Sequence, residues 1–160
     1  MLSNLNWQWK LSKMIIFVKK GFIMRKLLFL FVSLLFIATS CVDKEKAYKE
    51  HFVEGLKMYS ISNVDSAIYH FEKSLKYKPN SAESHYYIGV MLSNRNDHYQ
   101  AIEYLTKAIE IKPDYADAYF SRAMIYNYLG NKTLMCKDLR AAQQYGKMHI
   151  EDKLKECMYY

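Results

Sequence analysis

Residues 74–84 read SLKYKPNSAES and residues 108–118 read AIEIKPDYADA, so the second stretch echoes the first. The only two prolines of the chain, Pro79 and Pro113, take the same place in each, 34 residues apart. The same shift brings Gly55 onto Gly89, Ala67 onto Ala101, Ser74 onto Ala108 and Leu75 onto Ile109. Small, apolar and helix-breaking residues that coincide at one fixed interval mark a repeating structural unit.

Each unit reads as two helices. In 81–97 the apolar side chains Tyr86 and Val90 recur at one helical turn, and in 98–114 Ala101, Leu105, Ala108 and Ile109 do the same. Asn96 and Asp97 mark the turn between the two, and Pro113 ends the second by disfavouring helical geometry just before it. Gly89, Ala101 and Ala108 are small enough for paired helices to approach closely. Such a pair cannot bury its apolar stripe alone, so it stacks on the next pair.

With these landmarks the chain resembles a tetratricopeptide repeat (TPR) protein. Residues 82–115 fit best, with Ile88, Gly89, Ala101, Ala108 and Pro113 at the family's positions. Residues 48–81 fit at Gly55, Ala67, Phe71 and Pro79, although Glu54 fills a slot that is usually apolar. Residues 116–149 diverge most: Tyr119, Ala123, Tyr126, Gly130 and Ala142 agree, Met135 replaces an expected alanine, and the unit closes on Gly146 rather than on a proline. Residues 147–160 read as a capping helix. The resemblance implies an all-α fold, a right-handed α-solenoid of three TPR helix pairs plus a C-terminal capping helix, spanning 48–160.

In this family the first helix of each pair lines a concave groove. The resemblance places Phe52, Leu56 and Tyr59, then Tyr86, Val90 and Asn94, then Phe120, Met124, Asn127 and Tyr128 along it. That is an aromatic trough with a few amide and hydroxyl groups, suited to a segment of a partner protein, although stripes of this spacing more often serve as core. Some relatives grip an acidic C-terminal tail with basic residues on this face. Here Lys49 alone is basic at those positions, while Glu83 and Asp117 are acidic, which argues against that partner.

The front end is an address. Residues 24–41, MRKLLFLFVSLLFIATSC, place Arg25 and Lys26 before an apolar run from Leu27 to Ala38, then small residues and Cys41. The run is too short to span a bilayer and has the layout of a secretory signal. Its ending resembles a bacterial lipobox, which implies a signal peptide over 24–40 and lipidation at Cys41. Residues 1–23 are expected to be an over-called start or extended leader, with Met24 as the natural start, and 41–47 a short tether. Val42, where aspartate would retain a lipoprotein at the inner membrane, favours the outer membrane facing the periplasm.

Composition narrows the function further. Residues 1–40 hold six basic residues and no acid, so all but one unit of the formal charge of +7 belongs to the leader, and 41–160 nearly balance 17 basic against 16 acidic residues. Nothing after Cys41 forms the basic patch that nucleic acid requires. Five glycines offer no phosphate-cradling loop or nucleophile elbow. His51 and His85 are one site in successive units, filled by Tyr119 in the third, and read as helix-packing residues; His70, His98 and His149 lack ligand spacing. No metal, cofactor, small-molecule substrate or catalysis is therefore expected. With Cys41 assigned to lipid, Cys136 and Cys157 remain, either as a disulfide pinning the cap or as two buried thiols. The expected function is a membrane-tethered protein-interaction module, with a dedicated assembly factor for an outer-membrane complex or pilus, or a subunit whose groove is permanently occupied, as rivals.

Overall fold

The computed structural model describes residues 43–158. The predicted leader, signal segment and lipidation site at Cys41 lie outside the described residues. Contacts divide the chain after Asp43, and Lys44–Tyr160 form one compact unit. The described residues are helical, without strands: α1 covers 43–60, followed by α2 (Val64–Tyr77), α3 (Ala82–Asn94), α4 (His98–Ile111), α5 (Ala116–Tyr128), α6 (Lys132–Gln144) and α7 (Glu151–Lys155). α3 packs on α4 and α5 on α6; α2 meets α3, α4 meets α5, and α7 meets α6. Rings of α1 lie against α2, as with Phe52 and Phe71 at 5.6 Å. The result is an α-solenoid of three helix pairs with a short cap.

The turns within the pairs share one backbone device. Ser62, Asn96 and Gly130, 34 residues apart, all have positive φ, at 57°, 67° and 76°. The following residues, Asn63, Asp97 and Asn131, send their N–H back to the carbonyls of Met58, Leu92 and Tyr126 at 2.8–3.0 Å. This is a left-handed C-terminal cap that satisfies carbonyls left open by the ending helix. The same Asn63 and Asn131 then cap the next helix, accepting from the N–H of Ser66 and Leu134. Between pairs, α2 and α4 end one residue before Lys78 and Lys112, whose ψ of 81° and 90° is the extended geometry that Pro79 and Pro113 impose on the residue before them.

Close approach explains the repeated glycines of the first two pairs. A Cβ on Gly55 would come within 2.7 Å of the Phe71 ring, and one on Gly89 within 2.7 Å of Leu105 Cγ and 3.1 Å of the Ala101 carbonyl oxygen. One core cluster joins Phe71, Ile88, Met91 and Leu105 with residues of α5, and a second joins Ala123, Met135, Leu139 and Ile150 beneath the cap. A chain of hydroxyls binds the first pair to the second: Tyr48 to Ser81 (3.0 Å), Ser84 to Ser81 (3.0 Å), Ser74 to Ser84 (2.8 Å), and Ser74 to the Phe71 carbonyl (2.6 Å). Each of these buried groups has a partner, which is the condition for placing them there.

Two sequence expectations need correction. Residues 43–47, read as tether, are helical, because α1 starts at least as early as 43. Lys44, Glu45, Lys46 and Ala47 are good helix formers, and the pairs Lys46–Glu50 and Lys49–Glu45 lie one turn apart along it. Among the described residues of the cap read over 147–160, only Glu151–Lys155 are helical. Gly146 and His149, with φ of 91° and 61°, interrupt the chain before it.

Cys136 of α6 and Cys157 are joined by a disulfide with Cα atoms 5.4 Å apart. Cys157 stands 34 residues after Ala123, which follows Gly89 and Gly55 at the same interval. The cap is thus the in-phase beginning of a further first helix, fastened at its close-approach position.

Candidate functional site

The first helices of the pairs, α1, α3 and α5, carry the residues assigned to the groove. The closest-knit group is a row of tyrosine rings that steps from α1 across α3 to the start of α5. Tyr59 lies 5.4 Å from Tyr87, Tyr87 5.2 Å from Tyr86, and Tyr86 5.0 Å from Tyr115, between ring centroids. The row rests on the core at Tyr87, which stacks on Phe71 at 5.1 Å with 8° between the planes and takes Phe52 edge-on at 6.0 Å. Tyr59 is 40% exposed, whereas Tyr86, Tyr87 and Tyr115 are half-buried.

Hydroxyl chemistry along the row follows from this burial. Burial raises the pKa of Tyr86, opposed by its hydrogen bond with Ser121 of α5, and Asp117 adds to the rise. Burial also raises Tyr87 and Tyr115, with the carboxylates of Glu83 and Asp117 pushing both further up. The phenols are therefore neutral donors and acceptors at physiological pH. At the C-terminal side the row borders an open cleft of about 530 Å³, lined among others by Lys112, Tyr115, Asp117, Tyr145 and Lys147. Lys147 pairs with Asp117 and sits 5.1 Å from the Phe120 ring centroid, and Lys112 sits 4.8 Å from that of Tyr115.

The other assigned residues divide. Phe52 is an aromatic buttress, packing on Tyr48, Phe71 and Tyr87. Leu56 and Val90 are half-buried against the first core cluster, and Phe120 and Met124 against the second. Asn94 is exposed. Asn127 accepts from Lys132 Nζ at 2.8 Å, and the same ammonium reaches Glu156 at 3.4 Å beyond α7. Tyr128 does not join the row: it is 72% exposed and lies 4.3 Å from the ring of His98, the first residue of α4. Tyr87, Tyr115 and Ser121 were not singled out in the sequence. The spacing of Glu83 and Tyr87, one turn apart, is the signal that places Tyr87 on the same side as Tyr86.

The histidines that recur at one repeat position are packing groups. His51 stacks on Tyr77 at 5.8 Å, and His85 lies 5.8 Å from Tyr104 with Nε2 3.1 Å from the Pro79 carbonyl oxygen. Burial lowers the pKa of His85, the contact with Pro79 opposes this, and Lys107 reinforces the lowering.

Tetratricopeptide repeat profiles match residues 82–115 and 104–144, so repeats of this kind are present in the chain. Solved structures agree on the fold. The TPR2B domain of yeast Sti1, in a complex with pHsp70, superposes with a TM-score of 0.64 at 19% identity, over 71% of this chain and 94% of that one. The Arabidopsis OM64 TPR domain gives 0.67 at 18% identity, over 72% and 99%. The first TPR of Spaghetti (RPAP3), bound to the HSP90 peptide SRMEEVD, gives 0.65 at 15% identity, over 69% and 90%. None of the curated proteins matches the sequence. At these identities the structural likeness is one of fold, an all-α solenoid of TPR helix pairs with a capping helix.

Proposed function

We propose that this chain, built on tetratricopeptide repeats, is a non-catalytic interaction module that holds a segment of another protein in the groove formed by α1, α3 and α5. TPR folds generally mediate protein–protein contacts, and two of the similar structures are complexes with pHsp70 and with an HSP90 peptide. The observation that carries the reading is the tyrosine row Tyr59–Tyr87–Tyr86–Tyr115. Four neighbouring tyrosine rings are anchors of the kind that dominate interface energetics, because each offers large apolar area and one polar handle at small entropic cost.

The module is further proposed to be fixed to the bacterial envelope by lipid at Cys41, at the outer membrane facing the periplasm. The support is the sequence alone: Arg25 and Lys26, the apolar run Leu27 to Ala38, and the small residues before Cys41. An acyl anchor fixes the groove near the bilayer, which raises its effective concentration toward partners on the same membrane.

Photo-crosslinking in cells tests the groove. A probe in place of Tyr86 is expected to give a discrete adduct with another protein, and a probe in place of Lys107, on α4, none. Adducts from Lys107 alone would move the working surface to the opposite side. Metabolic labelling with an acyl analogue tests the anchor, and equal incorporation by Cys41→Ser would remove it.

A further inference from the structure

The first helices carry one charged residue each at the same repeat position, Lys49 on α1, Glu83 on α3 and Asp117 on α5, and Lys49 is paired with Glu45 of its own helix. Glu83 and Asp117 stand in the first turns of α3 and α5. Glu83 precedes Tyr86 and Tyr87 by three and four residues, and Asp117 precedes Ser121, the partner of the Tyr86 hydroxyl, by four. Residues so spaced share a helix face, so both carboxylates lie on the side that bears the tyrosine row. The two differ in what they already hold. Asp117 is paired with Lys147, and Lys112 covers the ring of Tyr115. Glu83 is half-buried, and among the described residues its carboxylate meets only the Ser81 hydroxyl, at 3.4 Å.

An uncompensated carboxylate next to phenol faces is a cation-seeking arrangement. Ring faces are negative by their quadrupole, the carboxylate adds a full charge, and partial burial weakens the screening that water would provide. We propose that the segment held in this groove is basic, and that it seats a lysine or arginine side chain at Glu83, beside Tyr87 one turn along α3 and the Tyr59 ring that packs on it. This rests on the groove reading above and adds the chemistry of the occupant. A carboxylate in a first helical turn also stabilises its helix through the macrodipole. That role alone would make Glu83 matter to stability and leave the charge of the ligand free.

The test is selection of short random peptides, displayed on phage, against the full chain in detergent micelles, followed by binding of the best peptide to variants. Enriched peptides are expected to carry an excess of Lys and Arg. Glu83→Gln is expected to weaken the best of them about fivefold, Tyr86→Ala to weaken it at least as much, and added salt to weaken binding to the parent more than to Glu83→Gln. Thermal melting of Glu83→Gln separates the helix-dipole role, which moves the midpoint but not the preference for basic peptides. Enrichment of neutral or acidic peptides that still require Tyr86 overturns the basic occupant and leaves the groove reading standing. Basic peptides that bind Glu83→Gln as tightly as the parent overturn the seat at Glu83. Absence of any enriched peptide overturns both readings.

Discussion

At Ser62, Asn96 and Gly130 the same left-handed backbone is held by three different residues, and they are not equivalent. For an L-residue this region costs about 1–2 kcal/mol, less for asparagine, and nothing for glycine. Nothing lies within 4 Å of a Cβ added at Gly130, so the cost there is backbone alone. Gly130→Ala is expected to lower the unfolding free energy by about 1 kcal/mol. Ser62→Gly is expected to raise it by a smaller amount, since glycine also gains freedom in the unfolded chain. Urea denaturation of both variants checks the opposite signs. At His85, whose pKa is held below 6.5 chiefly by burial, the unfolded chain binds the proton more readily than the folded one. Stability is therefore expected to fall as pH drops below about 6.5 toward the lower folded value, and His85→Tyr is expected to flatten that slope in melts across pH. The turn pair Asn96–Asp97 was legible in the sequence, but the recurrence was not. Ser62 is not a residue that announces a positive φ, and only the backbone reveals that it does the work of Gly130.

One half-buried guanidinium on helix α5 reaches both of its neighbours, α4 and α6. Arg122 donates to Asp138 of α6 through Nε at 2.7 Å and Nη2 at 2.9 Å, and to Thr106 of α4 through Nη1 at 2.8 Å. Asp138 is buried, and the side chains of Arg122 and Asp138 are only 14% and 3% exposed. Burial acts to lower the pKa of Arg122, but the hydrogen bond and charge of Asp138 outweigh it and the net shift is upward. Arg122→Met leaves a buried carboxylate without its cation, and is expected to cost about 3–5 kcal/mol. The double variant Arg122→Met with Asp138→Leu is expected to recover most of that, because well-packed apolar groups substitute for a buried pair with little loss. Denaturant titration of the three proteins measures the difference. The helices themselves were readable from period and punctuation, since Pro79, Pro113 and the small residues at Gly55, Gly89 and Ala101 answer to local sterics. The pair across α5 and α6 was not, because its partners are 16 residues apart and look like two ordinary surface charges.

The whole solenoid is a line of neighbours, and each pair of helices leans on the next. Its C-terminal end is closed by the disulfide that spans 21 positions between Cys136 and Cys157. Cys136→Ser with Cys157→Ser is expected to lose about 3 kcal/mol, by freeing a loop of that length in the unfolded chain. Melting in the presence and absence of a dithiol reductant should give the parent the larger change and the double variant none. The number of repeats could be counted in the sequence. That the cap continues them could not, since cysteine stands at its step in the series Gly55, Gly89, Ala123 and Cys157. The groove was legible as a set of helix faces. The tyrosine row was less so, because Tyr115 belongs to a loop boundary and reaches Tyr86 only once α3 and α5 are side by side.

A row of stacked hairpins sealed at one end has a direction of coming apart. The disulfide keeps the cap on α6 and so protects that end from fraying, whereas α1, held by Phe52, Leu56, Met58 and the Tyr48 hydroxyl, has no covalent fastening among the described residues. Amide protons are then expected to exchange in a gradient, fastest along α1 and slowest along α6. Tyr59 is then expected to leave its neighbours before Tyr86 does, and a ligand of the proposed kind, spanning both, would act as the missing clasp.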